Sequence, residues 1–311
     1  KSIGIQRKKS YISYENITPI YCDTNIPWLQ HLHTHGWCTV DIPNWDNNYV
    51  NTFLDWFQSC SPNFNKNDIK TWIPENMPVT NNGVIKHYFG HTELQWNIRE
   101  LCLPIFAEIW KTDDLLCSFD GGCLLTPSKE TSFKNWIHHD SPKHVKGFES
   151  VQGIVNFVDN GPKDGGLLLI ENSHTIFDEY MKRHPSEGIT WGLADTNDPL
   201  FNNKRLIKIC APAGHLILFD SRMFHCNVHP LNDNYRMCTY VSMQPRCGAT
   251  TKELEKRIKL YENGRMTGHW SYGSWFKETP EHPHTYGKPY NKPNTIEIAT
   301  LNDVRRRMIG Y

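Results

Sequence analysis

The chain has 311 residues with 33 basic and 33 acidic side chains, so its formal charge is zero and no basic excess points to nucleic acid. That length suits one large domain or two small ones. A hydrophobic content of 38% with 11 Trp supports a substantial core, and 19 Pro with 20 Gly imply many turns and loops. The ten Cys are scattered and none form Cys-x-x-Cys, which argues against a zinc ribbon or thioredoxin-like motif and suits reduced, mostly buried thiols. No apolar run approaches the ~18 residues of a membrane span. The first residue is Lys1 rather than Met, which leaves a trimmed leader open; soluble, cytoplasmic or otherwise intracellular is the expectation.

Residues 1–22 are polar, begin basic and predict a mobile or surface-draped start. Pro27 to His35 reads as a short helix opened by Asn25 and Pro27 and stopped by Gly36, and its alternating His31, His33 and His35 would be spread around the helix. Trp37 to Ile42 alternates like a strand, and Tyr49 to Phe57 has helical spacing behind a cap at Asn44. Ser59 to Thr80 predicts a long loop. Glu93 to Trp110 predicts a helix that Pro104 kinks or interrupts. Leu115 to Leu125 holds two apolar runs around Gly121-Gly122, a bulged strand or a hairpin.

From Thr131 to Pro245 strands dominate: Val151–Val158, Leu167–Ile170, Leu206–Cys210, His215–Phe219 and Met237–Met243. A helical insert (Ile176–Arg183) and a polar loop (Glu187–Asn203) interrupt them. Such density argues for an antiparallel sandwich or barrel. After Thr251 come a helix to Leu260, a polar, aromatic, Pro-rich stretch to Tyr290, and a short helix near Ile296–Met308.

The chemistry is expected at Asn135-Trp136-Ile137-His138-His139-Asp140. If the extended run from Thr131 continues, His138 and Asp140 project from one face. A third ligand is available in His225, at the end of the strand that starts at Gly214. Two His and one carboxylate on one face of a metal is the arrangement of non-haem Fe(II) oxygenases. A His-x-Asp tripeptide among 16 His is weak by itself. Its context adds weight, because Asn227–Asn234 is turn-rich and Arg236 opens the next strand. From there Arg236 can reach the same cavity and hold a carboxylate by a bidentate pair.

His138-x-Asp140, Gln152-Gly153 with Asn156, Asp164-Gly165-Gly166-Leu167, Ser173-His174, the Gly214–His225 strand and Arg236 resemble, in this order and spacing, the phytanoyl-CoA dioxygenase-like family of Fe(II)/2-oxoglutarate-dependent oxygenases. The resemblance covers most of residues 26–245 and is strongest from Trp136 to Arg236. The stretch Gly147–Phe177 looks like a subgroup of largely uncharacterised members. It implies a mainly β fold with flanking helices, a double-stranded β-helix (jelly roll, cupin-like). The implied division of a single oxygenase domain, 1–311, is an N-terminal helical and loop layer (1–114), the β-helix core (115–246) and a C-terminal extension (247–311).

Carried over residue by residue, the resemblance implies that His138, Asp140 and His225 bind Fe(II) and that Arg236 binds the distal carboxylate of 2-oxoglutarate, with Gln152 near that co-substrate. The implied activity is O₂-dependent hydroxylation of a small-molecule substrate with release of succinate and CO₂. Halogenating members lack the carboxylate found here as Asp140. Three other readings stay open: a non-catalytic cupin-like binding protein, a zinc hydrolase on the same ligands, and the same oxidation on a nucleic-acid base or protein side chain. Substrate identity and oligomeric state are not legible.

Other residues compete. His139 is expected to face away from the ligands, and His229, set before Pro230 in the turn, is the rival of His225. His174 reads as structural, His215 has no nameable partner, and Arg222 is open between a salt bridge and a substrate contact. Trp136 favours packing over lining a pocket. Cys226 and Cys238 fall near the ligands without a mark of reactivity. Gly161–Gly166 lacks the spacing of a phosphate loop. In the tail, Thr267-Gly268-His269-Trp270 is similar to a short motif of the same subgroup and is a candidate cover for the site, without an assigned mechanism.

Overall fold

The computed structural model describes residues 10–78, 80–81, 83–85, 87–185, 193–280 and 290–311. The basic start (1–9), part of the polar loop Glu187–Asn203 and part of the aromatic stretch before Tyr290 lie outside the described residues.

Where a draped start was expected, two strands form: β1 (Tyr11–Ser13) and β2 (Ile17–Tyr21). Neither has a fully buried residue, so each lacked the apolar alternation that marks a strand in sequence. Helix α1 (Trp28–His35) stops at Gly36, whose φ of 79° favours glycine. A Cβ at Gly36 would also come within 2.5 Å of His174 Nδ1, so the stop and the packing both demand glycine. Strand β3 (Trp37–Asp41) follows directly. Helix α2 (Tyr49–Cys60) begins after Asn48, not at the expected cap; Asn44 instead takes a left-handed turn position.

Past β4 (Val84–Ile85), helix α3 (Glu93–Trp110) is capped by Thr92 Oγ1, which accepts from Gln95 N. It runs unbroken through Pro104. One forfeited hydrogen bond is outweighed by the apolar burial along it, including Trp96, Ile98, Ile105 and Phe106. The Gly-Gly region is neither of the expected forms: β5 (Leu115–Cys117) and β6 (Gly122–Leu125) pair with one later strand rather than with each other. The extended run before His138 is also shorter than expected, since β7 covers only Ser132–Lys134 and pairs with β1.

The remaining elements are β8 (Val151–Asn156), β9 (Gly166–Ile170), α4 (Phe177–Arg183), β10 (Leu206–Cys210), β11 (His215–Asp220), β12 (His225–Val228), β13 (Arg236–Pro245), α5 (Thr251–Glu262) and α6 (Asp303–Ile309). Helix α6 starts later than the periodicity suggested, at a cap where Asn302 Oδ1 accepts from Arg305 N. Strands β8 and β9 are buried at every position, which suits central strands covered on both faces.

One sheet has the order β3-β11-β8-β13-β6-β4, with β5 also on β13; the other has the order β12-β9-β10-β2. Strand β6 pairs with β13, β8 with β11 and β9 with β10, all antiparallel. A backbone bridge joins His138 to His225 at the start of β12. Segments before β9 thus pair in reverse order with segments after β10, as in one long hairpin. Because both arms cross repeatedly between the sheets, the hairpin is wound into a double-stranded β-helix. The fold is mainly β, a jelly roll with flanking helices.

Between the sheets lies one apolar cluster, with Ile154, Leu167, Leu169, Ile217, Phe219 and Tyr240 among its members. Helices α2 and α3 bury Phe53, Phe57, Trp96 and Phe106 against the outer face of the larger sheet. Helix α4 covers the smaller sheet with Phe177 and Tyr180. No helix among the described residues is long and apolar enough to cross a membrane.

Candidate metal centre

The winding of the roll brings His138, Asp140 and His225 together through the backbone. His138 N donates to His225 O at 2.9 Å and His225 N to His138 O at 2.8 Å. Asp140 N donates to Ser221 O in the turn between β11 and β12. That turn is held by Asp220, whose Oδ1 accepts from Arg222 N while its carbonyl accepts from Met223 N. Both ends of His-x-Asp are therefore tied to the segment that carries the third residue. Asp140 itself lies past the bridge, outside any strand, so the turn contact rather than strand alternation sets its position.

One ligand atom from each of the three buried residues lies within 4.8 Å of the others, a spacing that suits a metal ion. His138 Nε2 is 3.7 Å from Asp140 Oδ1, and His225 Nε2 is 3.3 Å from Asp140 Oδ2. The far nitrogens are committed elsewhere: His138 Nδ1 contacts Trp136 O at 3.1 Å and His225 Nδ1 contacts Met223 O at 2.9 Å. A carbonyl only accepts, so each Nδ1 carries the proton and each Nε2 lone pair faces the carboxylate. Burial, then the neighbouring His225, pushes His138 down to about 3, which keeps it neutral and able to ligate. Burial opposes ionisation of Asp140, but His138, His225 and His269 hold its carboxyl well below the usual range. Gln152 Nε2 donates to Asp140 Oδ2 at 3.1 Å, and Trp270 Nε1 to Asp140 O at 2.8 Å.

The three residues line a cavity of about 720 Å³ that also meets Trp136, Gln152, Tyr240 and Trp270. Arg236 sits on β13, four residues before Tyr240 and on the same inward face. It is only 3% exposed, yet Nε, Nη1 and Nη2 find no acceptor among the described residues. Burial works against its charge, and the adjoining Cys238, Cys123 and Tyr240 outweigh that, so it stays a cation. A buried cation with every donor unused is costly unless an anion completes it. The donor set thus fits both a divalent metal and a carboxylate-bearing ligand.

No family model matches the chain. Ava biosynthesis cluster protein O of Aspergillus versicolor is 30% identical over 256 residues, which span 76% of this chain and 83% of that protein. A Dictyostelium discoideum protein named "Putative phytanoyl-CoA dioxygenase" is 22% identical over 259 residues, 68% of this chain and 72% of its own. The chain belongs to the phytanoyl-CoA dioxygenase-like family. Its members are 2-oxoglutarate-dependent non-haem iron oxygenases. Solved structures overlap more loosely. The non-haem α-ketoglutarate-dependent carbocyclase SnoK of nogalamycin biosynthesis is 11% identical, with TM-score 0.45 over 76% of this chain and 87% of its own. HygX of Streptomyces hygroscopicus, solved with nickel, 2-oxoglutarate and hygromycin B, is 13% identical, with TM-score 0.47 over 70% and 86%.

In this phytanoyl-CoA dioxygenase-like protein the competing residues separate cleanly. His229 Nδ1 is occupied by Thr126 O at 2.8 Å, and it is His225 that joins the cluster. His139 turns away from the ligands into the core, against Phe177 and Phe224, with Nδ1 on Ser141 O. Arg222 forms a salt bridge with Asp220 rather than reaching a substrate. Trp136, for which packing was favoured, stacks on His138 at 5.3 Å and lines the cavity. Gln152 is brought to Asp140.

Sequence reasoning left several residues without a role: His269, Trp270, Trp275, Tyr240 and Asn227 in the cavity, and Asp120 behind His269. The Thr267–Trp270 motif was the available signal for two of them. His269 Nδ1 pairs with the buried Asp120 carboxylate, and its Nε2 lies 3.6 Å from Asp140 Oδ2. That pairing joins residues far apart in the chain, which no local pattern reveals.

Proposed function

We propose that this protein is an Fe(II)- and 2-oxoglutarate-dependent dioxygenase that hydroxylates a small-molecule substrate, releasing succinate and CO₂. The observation that carries the reading is Arg236: a guanidinium buried on the inner face of the roll with all its donors unspent. Iron would be held by His138, Asp140 and His225. The distal carboxylate of 2-oxoglutarate would complete Arg236 by charge-assisted hydrogen bonds. Bound iron and co-substrate supply the oxidising chemistry.

The chain's own residues supply geometry. The carbonyls of Trp136 and Met223 hold the two imidazole tautomers, and Gln152 engages one oxygen of Asp140, limiting its rotation. Trp136, Trp270 and Trp275 give the cavity beside the ligands an aromatic wall. A zinc hydrolase could use the same three ligands, but it has no need of a dicarboxylate anchor. A non-catalytic binding protein has no need of the complete set. The neutral overall charge favours a small molecule over a nucleic-acid base, and the A. versicolor relative, named for a biosynthesis cluster, points the same way. We read residues 1–311 as a single oxygenase domain, and the ten free thiols suit an intracellular setting.

The test is an anaerobic titration of 2-oxoglutarate into Fe(II)-loaded protein, following the visible charge-transfer band of a chelated keto acid. A saturable band, weakened in Arg236→Ala and abolished in His225→Ala, is the expected result. Bound iron without a band at any concentration sinks the oxygenase reading and turns attention to zinc.

A further inference from the structure

One wall of the cavity is built by the C-terminal extension. The stretch after α5 is pinned in place: Thr267 N donates to Phe119 O at 3.0 Å and Phe119 N to Thr267 Oγ1 at 2.9 Å. Ser271 N donates to Gln244 Oε1 and Ser271 Oγ to Leu116 O, both at 2.8 Å. Between and beyond these anchors, His269, Trp270 and Trp275 face the cavity, while Trp136 lines it from the His-x-Asp segment. Three indoles thus meet in a space of about 720 Å³, room for a multi-ring molecule.

His269 is the polar group set between Trp136, Trp270 and the ligand Asp140; Lys277, Gln152, Asn227 and Asn81 line the same cavity. Asp120, fully buried, holds its Nδ1; Asp120 is itself fixed by Gly121 N on Oδ1 and by Arg99 Nη2 on its carbonyl. The imidazole is therefore aimed, with Nε2 beside Asp140 and toward the proposed metal position. Aromatic side chains hold flat rings in offset-stacked or edge-to-face arrangements. A polar group held in a fixed direction among them sets which edge of a ring approaches the centre.

We propose that the segment Thr267–Trp275 is the substrate-recognition element, and that it selects an aromatic molecule bearing a hydroxyl, the ring packing among Trp136, Trp270 and Trp275 and the hydroxyl hydrogen-bonding His269 Nε2. This rests on the oxygenase reading only for what lies on the far side of the ring. His269 touches the substrate and orients it, so that the C–H bonds near the hydroxyl are those presented to the metal.

Equilibrium dialysis of the full chain, loaded anaerobically with Fe(II) and 2-oxoglutarate, tests it with three probes: 2-naphthol, naphthalene and the saturated 2-decalol. Wild-type protein should retain 2-naphthol about tenfold more tightly than naphthalene, the ratio one desolvated hydrogen bond supports, and more tightly than 2-decalol. In both His269→Ala and the ring-preserving His269→Phe the naphthol-to-naphthalene ratio should fall to within about twofold. Trp275→Ala should weaken both aromatic probes alike. Equal retention of naphthol and naphthalene by the wild type, a ratio that survives in both His269 variants, or 2-decalol matching 2-naphthol each overturns the proposal, as does failure of either aromatic probe to bind. The keto-acid band, read in the same samples, reports separately on iron and co-substrate, so the two claims fail independently.

Discussion

Two buried arginines mark two regions with opposite logic. Arg257, on α5 within the C-terminal extension, donates to Ile309 O, Ser271 O, Cys117 O and Met308 O at 2.7–2.9 Å. It stitches α5, the stretch at Ser271, the end of α6 and the edge of the roll into one body, and its charge is spread over backbone carbonyls. Arg236, inside the roll, has no such partners among the described residues. A satisfied buried cation is part of the fold; an unsatisfied one is a standing cost that a ligand removes. The same residue type at the same burial thus distinguishes a structural joint from a binding site.

The comparison breaks first at Arg257. Arg257→Met strands four carbonyls in the interior at about 1–3 kcal/mol each, so the melting temperature should drop by about 10 °C or more, with no rescue by 2-oxoglutarate. An unchanged melting curve would mean the joint is not structural. Next comes the centre: His225→Ala should lose iron retention at least tenfold by metal analysis after desalting, whereas His229→Ala, occupied by Thr126, should keep it. The reverse pattern would move the third ligand.

Arg236→Met sharpens the contrast. It should weaken 2-oxoglutarate binding by about a hundredfold in the charge-transfer titration, while leaving the unliganded melting temperature unchanged or raised, because an unpaired buried charge is gone. A large loss of stability would instead place Arg236 with Arg257. The smallest effect concerns pH. His91 accepts a packing role under the extension, its Nε2 on Arg265 O at 2.7 Å, and burial lowers it to about 4 from an ordinary 6.5. Between those values the unfolded chain binds a proton that the folded chain does not. Its stability contribution is therefore intact above pH 6.5 and lost as pH falls toward 4. Melting scans should show a decline of a few degrees over that window, reduced in His91→Gln, and hydrogen exchange should rise first around α5 and α6 rather than in the roll.

Much of the site was legible because its residues are local or ordered along the chain. His138 and Asp140 stand two apart, and His225 follows the apolar run read as one strand from Gly214. In the structure that strand stops at Asp220, and a turn precedes His225 at the start of β12. Arg236 opens the next apolar run. Strands β8 to β11 and β13 were legible because they are almost wholly buried and mostly apolar; β12, with His225 and Asn227 in four residues, was not. Strands β1 and β2 were not, because their exposed positions leave no alternation and their partners lie far along the chain. Pro104 misled in the other direction, as a local rule overruled by packing along α3.

The sequence by itself determined the metal-ligand candidates, the carboxylate anchor candidate and the β-rich winding, because each follows from residue type and short spacing. Only the tertiary structure decided that Arg236 is buried without partners, that Asp120 aims His269 at Asp140, and that the extension walls the cavity with indoles. Those facts depend on contacts between segments as distant as Asp120 and His269. Such contacts arise from hydrophobic collapse of the whole chain, which fixes side-chain surroundings that no local pattern carries.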